Sequence, residues 1–307
     1  MVATKLQRLG CIANSHHLPP GMSSHLQCPI PYLNKRGNIS LFFTSRDKQN
    51  FSHPFCMEIS ATPPYQIINL AKEPLFTLGN PGNFDSSGVM PSCILRTPSG
   101  ALHLYYIGWN VPSDVPFHNS IGLAISEDDG LTFRRIHEGP ILDRNIHDPL
   151  FVATPFVLSM ESGYRMWYLS GTKWARDRSL NKWRSFYQIK SIDSSDGIHF
   201  TGTPKICVSY NEPTECAIAR PWVVRIGNLW RMWFCARWDR YSIQYADSND
   251  GINWTRNQNF EISGTSQIGD FDSEMASYPA LITIGHSSLL FYNGNAYGQS
   301  GIGIVTI

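Results

Sequence analysis

The chain has 307 residues, 42% hydrophobic and 12% aromatic, with 16% charged residues and a net charge of +1. That is enough apolar material for one large core, and the near-neutral balance offers no basic surplus for nucleic acid. No run of about 18 apolar residues argues for a membrane span, and the first ten residues lack the apolar stretch of about 7 to 15 residues that an export signal requires. A single-domain cytoplasmic protein over residues 1–307 is expected. The seven cysteines form no CxxC pair and read as reduced, strand-packed thiols; no metal site and no cofactor is expected.

Taken in chain order, the segments repeat. Thr4-Lys-Leu-Gln-Arg-Leu9 reads as an outer strand. Next comes Pro31-Tyr-Leu, the turn Lys35-Arg-Gly-Asn38 and the apolar strand Ile39-Ser-Leu-Phe-Phe43. The same pattern returns as Pro91-Ser-Cys-Ile-Leu with Leu102–Ile107, Pro155-Phe-Val-Leu with Tyr164–Leu169, Pro221-Trp-Val-Val with Leu229–Phe234, and Pro279-Ala-Leu-Ile with Ser288–Tyr292. Subtracting successive proline positions gives spacings of 60, 64, 66 and 58 residues.

Three of these repeats continue into Ala124-Ile-Ser-Glu-Asp-Asp-Gly-Leu-Thr-Phe133, Ser191-Ile-Asp-Ser-Ser-Asp-Gly-Ile-His-Phe200 and Tyr245-Ala-Asp-Ser-Asn-Asp-Gly-Ile-Asn-Trp254. Each reads as a strand, a tight turn in which Gly130, Gly197 or Gly251 takes positive φ, and a returning strand led by an aromatic. Short strands at a fixed period with turn chemistry between them predict an all-β, five-bladed β-propeller with four-stranded antiparallel blades. The last repeat lacks an outer strand, and the N-terminal strand is placed to supply it, closing the ring and covering an open edge.

In a propeller, the start of each first strand and the end of each second strand meet at one opening. Before the first strands stand His25, Asp85, His147 with Asp148, Glu215, and Asp270, Asp272 and Glu274. After the second strands stand Arg46 and Asp47, Trp109 and Asn110, Lys173 and Trp174, Arg237 and Trp238, and Asn293 and Asn295. Flat aromatic faces stack on a sugar ring, amides and guanidinium groups satisfy its hydroxyls, and carboxylates held across a channel suit glycosidic acid/base chemistry. The same acids also suit local turns, where they accept backbone hydrogen bonds. Arg220, Lys173 and Arg237 suit a phosphate, and His25 or His147 an ion or a phosphate.

The layout resembles the five-bladed propeller glycosidases: arabinanases, β-xylosidases, invertases and mannoside phosphorylases. Asp85 in Phe84-Asp-Ser-Ser-Gly88, Asp148-Pro149 and Glu215-Cys216 match, in order, the early Asp, the Asp-Pro and the Glu-Cys of that group. The resemblance implies Asp85 as general base or nucleophile, Asp148 as the carboxylate that orients the sugar, and Glu215 as general acid. A converging ring of carboxylates also allows Asp272 or Glu274 to participate. The resemblance departs in two respects: the first-repeat slot holds His25 instead of an Asp, and the fifth repeat contributes three carboxylates, Asp270, Asp272 and Glu274, that the scheme does not require. A carbohydrate or sugar-derived small molecule is the expected partner. The alternatives are a phosphorylase using inorganic phosphate and a propeller that binds a glycan or protein without chemistry. Ser126-x-Asp128-x-Gly130-x-Thr132-Phe133 is similar to the Asp-box of sialidases, a folding element.

Overall fold

A computed structural model describes residues 6–177 and 181–307. Its strands run in chain order as β1 (Gln7–Ala13), β2 (Ser24–Leu33), β3 (Ile39–Arg46), β4 (Ser52–Ile59), β5 (Ile67–Leu70), β6 (Gly88–Arg96), β7 (Leu102–Asn110), β8 (His118–Ser126), β9 (Arg134–Arg135) and β10 (Val152–Met160). They continue as β11 (Gly163–Asp177), β12 (Lys182–Ser194), β13 (Lys205–Val208), β14 (Ala217–Ile226), β15 (Leu229–Arg237), β16 (Tyr241–Ser248), β17 (Thr255–Arg256), β18 (Ser277–Ile284), β19 (Ser287–Asn293) and β20 (Ile302–Thr306). Antiparallel pairing sorts them into β2 to β5, β6 to β9, β10 to β13, β14 to β17, and β18 to β20 with β1. Single parallel bridges, Ser52 to Gly88 and Tyr187 to Ala217, link the first of these units to the second and the third to the fourth. The first strand of each unit contacts the first strand of the next, and β18 contacts β2. No helix among the described residues is long and apolar enough to cross a membrane.

The N-terminal strand pairs with β20 through Gln7 to Ala13. Residues 4 and 5 of the expected strand lie outside the described residues. Asn293, expected to face a ligand, is fully buried and joins the last unit to the first. Its Oδ1 accepts from the Cys28 backbone N–H at 2.7 Å, and its Nδ2 donates to the carbonyls of Leu26 at 2.6 Å and Gly301 at 3.0 Å.

The Asp-Gly turns keep phase because each docks on the unit before it. Gly130, Gly197 and Gly251 take φ of +89°, +75° and +71°, conformations open to a residue without Cβ. They lie against Phe42, Tyr105 and Trp167 of the preceding unit. The Tyr105 hydroxyl donates to the Gly197 carbonyl at 2.8 Å, and the Trp167 indole N–H to the Gly251 carbonyl at 3.0 Å. Inside each turn, Ser126, Ser194 or Ser248 accepts the glycine N–H, and Asp128, Asp196 or Asp250 accepts two backbone N–H groups beyond it. These acids build turns, as the Asp-box reading expects.

One regularity differs from the sequence reading. Every first strand carries a β-bulge at one place, between Gln27 and Ile30, Pro91 and Cys93, Ala153 and Phe156, Ala219 and Trp222, and Ser277 and Ala280. Register therefore aligns Pro29, not Pro31, with Pro155, Pro221 and Pro279, and places Pro91 one position earlier, on the bulge. The residue at the bulge has positive φ in four units: Cys28 (58°), Thr154 (45°), Arg220 (60°) and Tyr278 (57°). Bulges re-aim the side chains of the strands that carry them.

Asn293→Ala leaves one buried backbone donor and two acceptors without their partner. The expected cost is about 2–4 kcal/mol in urea denaturation; an unchanged midpoint would show that the clamp contributes nothing.

Candidate active site

The acids in front of the first strands fall into a repeated pattern. Asp85, fully buried, accepts at Oδ2 from the Tyr106 hydroxyl at 3.1 Å and from Arg135 Nε at 2.8 Å. Asp148 is held by the Tyr168 hydroxyl at 2.8 Å, Ser170 Oγ at 2.6 Å and Lys190 Nζ at 2.9 Å. Asp272 accepts from the Tyr292 hydroxyl at 2.7 Å and pairs with Arg8 at 3.3 Å. Glu215 pairs in a fork with Arg256, at 2.7 and 2.5 Å. At the position of the three tyrosines this unit has Phe234, over which the Arg256 guanidinium sits at 5.5 Å; the longer Glu reaches its cation without a phenol.

The three aspartates thus each bind a tyrosine of their own second strand, and all four acids bind a cation on the third or outermost strand, in β9, β12, β17 and β1. The carboxylates turn into their own sheets, and none bonds to another. Asp85 Oδ1 is a buried acceptor without a partner, and a Cβ on Gly108 would overlap Asp85 and Phe84, so the pocket is closely fitted. Burial first, and the adjacent carboxylate next, push the phenols of Tyr106, Tyr168 and Tyr292 up, keeping them as donors.

Where the first strands begin and the second strands end, other groups gather. Arg237, ending β15, lies over the rings of Tyr187 at 5.7 Å and Tyr241 at 5.3 Å and donates to the Tyr187 hydroxyl at 3.2 Å. The Tyr187 and Tyr241 hydroxyls bond to each other. Tyr241 packs on Tyr278 at 5.7 Å and Tyr297 at 5.9 Å. Arg46, ending β3 as Arg237 ends β15, donates to Asn50 at 2.9 Å and Gln27 at 3.2 Å; burial pushes its guanidinium below the usual value. Beneath them Arg220, fully buried, reaches from β14 to Ser92 Oγ at 2.9 Å and to the carbonyls of Pro91 and Pro29, each at 3.3 Å, so one side chain spans three units. Burial pushes the phenols of Tyr187, Tyr241 and Tyr278 up.

The remaining expected residues divide. Trp174 and Phe117 wall a cavity of about 510 Å³ shared with Asn110, Asp114 and Arg144. A chain of rings joins it to the phenols: Trp174 to Phe117 at 4.9 Å, Phe117 to Phe151 at 5.5 Å, and Phe151 to Tyr187 at 6.1 Å. Residues 178–180 of the polar connection after Trp174 lie outside the described residues. Trp109 packs against Gly88, where a Cβ would overlap its indole. Lys173 does not join Arg220 or Arg237 around a common anion; it pairs with Glu212 at 3.0 Å over the Phe186 ring. His147 receives Lys190 on its backbone carbonyl at 2.7 Å. Glu274 is exposed and faces Arg240 at 3.5 Å. Asp272, expected at the opening, belongs to the locked set. Sequence reasoning misses Tyr187, Tyr241 and Tyr278. Tyr278 stands immediately before Pro279, at the bulge position, and that adjacency is the one signal the sequence offers.

No protein-family model matches the chain. It is 31% identical over 287 residues to the uncharacterized protein Rv1502 of Mycobacterium tuberculosis strain H37Rv, covering 92% of this chain and 93% of that protein. MT1551 of strain CDC 1551 matches at the same identity of 31%. Among solved structures it is similar to a glycosyl hydrolase from Bacteroides ovatus, with TM-score 0.70, 14% identity, and 99% of this chain and 93% of that chain covered. It is also similar to a thermostable family-43 glycoside hydrolase, with TM-score 0.67, 15% identity, and 95% and 91% covered. The fold is that of the propeller glycoside hydrolases. The chain belongs to the family of the mycobacterial protein Rv1502.

His25 gives the opening a pH signature. Its backbone has φ of +64° and its Nδ1 lies 2.8 Å from Ser24 Oγ. Burial, then the Arg46 charge, push the imidazole down from 6.5 to about 4. Between these values the unfolded chain takes up a proton that the folded chain refuses, so stability is full above about pH 6.5 and falls as pH drops toward 4. His25→Asn is expected to lose less stability than the parent between pH 7 and pH 5 in urea titrations. Parallel losses would show that His25 does not titrate this way.

Proposed function

We propose that the chain is one domain, a closed five-bladed propeller whose four-stranded units are its blades, and that it takes a sugar-derived substrate in the funnel where the first strands begin. One observation carries this reading. Tyrosine faces and guanidinium forks from different units converge at that opening, and an aromatic path leads from them to the cavity of about 510 Å³ beside Trp174. Two adjoining places, one phenol- and arginine-lined and one walled by Trp174 and Phe117, suit the two sides of a glycosidic bond.

In this proposal the protein acts on that bond. Asp85 and Asp148, whose side chains are 0% and 1% exposed, serve as positioning residues that fix the starts of their strands. Glu215, whose side chain keeps 13% exposure, is the proposed proton-transfer carboxylate, because among the three it alone meets solvent. A second reading, a glycan-binding propeller without chemistry, draws support from the fork by which Arg256 holds both Glu215 oxygens.

Glu215→Gln separates the two readings. Screened against aryl glycosides and oligosaccharides at a temperature where the variant is folded, an enzyme of the proposed kind loses about 100-fold or more in turnover while substrate affinity stays within a few-fold. Undiminished turnover would remove Glu215 from the chemistry. Saturable glycan binding by both proteins with no turnover in either would establish the binder.

A further inference from the structure

Eight arginines among the described residues are buried or half-buried: Arg46, Arg135, Arg165, Arg184, Arg220, Arg231, Arg237 and Arg256. Five of them stand against carboxylates, in the pairs Arg135–Asp85, Arg165–Asp193, Arg184–Asp239, Arg231–Asp247 and Arg256–Glu215. The three without a carboxylate partner are Arg46 and Arg237, which end the second strands β3 and β15, and Arg220, buried within β14. Their contacts are neutral: Asn50 and Gln27; Pro91, Ser92 and Pro29; and Trp238 with Tyr187. In each of the three the Nε–H is buried and unpartnered.

The three charges act on one region. The Cys28 thiol feels both Arg220 and Arg46, and the phenols of Tyr278 and Tyr241 link the Arg46 side to Arg237. The Ala217–Arg237 register places Arg220 three residues deeper along β14, about 10 Å at strand rise. The acids at the rim are already paired, Asp239 with Arg184 and Glu274 with Arg240, and His25 adds no negative charge. A guanidinium withdrawn from water costs several kcal/mol unless an anion meets it. Each of the other five has a carboxylate beside it.

Resting on the sugar reading above, we infer that Arg46 and Arg237 are the receptor for an oxyanion on the substrate, with Arg220 as a fixed positive charge beneath them. The substrate class is then a sugar bearing a carboxylate or a phosphate. The guanidinium fork matches either group, and the phenols between the arginines offer faces and hydroxyls to the ring.

Isothermal titration of the folded protein with glucuronate, glucose 1-phosphate, inorganic phosphate and glucose tests this. At least one of the two charged sugars should bind roughly tenfold tighter than glucose, with affinity falling as salt rises; which of them does so separates carboxylate from phosphate. Arg46→Gln and Arg237→Gln should each weaken that binding by roughly tenfold to a hundredfold, and Arg134→Gln, on the exposed outer strand, should not. Both funnel variants are titrated below their own measured melting temperatures, so that lost recognition is separated from lost folding. Glucose binding as tightly as both charged sugars, charged-sugar binding indifferent to both funnel variants, or no binding of either charged sugar at concentrations of about 10 mM would overturn the inference. Neutral glycans that still bind or turn over would then leave the sugar reading standing; their failure as well would remove both. Binding of inorganic phosphate alone, lost in the two funnel variants, would overturn the sugar part and keep the oxyanion receptor.

Discussion

A carboxylate buried at the entry to a strand must be met by a cation, and this chain meets that demand the same way in four of its units. Asp85, Asp148, Glu215 and Asp272 each draw a Lys or Arg from the outer part of their own sheet. Breaking such a pair by removing one member costs about 3–5 kcal/mol, because the other charge is left buried and unmatched. The pair therefore fixes where each first strand begins relative to its outer strands. The first unit has Phe43 where the others have Tyr or Phe234, stacked on Phe55 at 6.0 Å, and is tied by Asn293 from the last unit instead. Once the first strands are fixed, their bulges set which way their side chains turn, and guanidinium groups and phenols gather where those strands begin.

This arrangement inverts the charge expected of the opening. Acids that come together in sequence register do not come together in space, because a residue just before a strand can turn toward the axis or into the sheet. The phenols of Tyr106, Tyr168 and Tyr292 and the cations behind them favour the sheet. What gathers near the starts of the first strands instead is a set of guanidinium groups and phenols. The same scaffold similarity that relates the chain to glycoside hydrolases leaves the chemistry to be decided by those side chains.

The repeats are legible in the sequence because their cause is local. Ser126, Asp128 and Gly130, with their counterparts, close a turn by bonds among themselves, and the turn docks on one aromatic of the preceding unit, so both the motif and its phase are written in sequence. The pairing of the N-terminal strand with β20 is legible for a related reason, as an edge that needs cover. The first-unit register is not: Pro31 attracts the eye, but the bulge at Cys28 puts Pro29 in line with Pro155. The direction of a side chain depends on partners far along the chain. Arg135 lies 50 residues beyond Asp85, and Arg8 lies at the opposite end of the chain from Asp272. The turns hold one clue to these partners, since Arg135 and Arg256 each follow the turn glycine by five positions. The unpaired arginines are invisible in the sequence, because being unpaired is a property of everything around them.

A double-mutant cycle on Glu215 and Arg256, each changed to Ala singly and together, weighs the central claim most directly. If these acids hold the sheets, unfolding free energies will show a coupling of about 2 kcal/mol or more between the two sites. Additivity within about 0.5 kcal/mol would mean that the carboxylate is not engaged with its cation in solution, and the division between locked acids and a cationic funnel would fail.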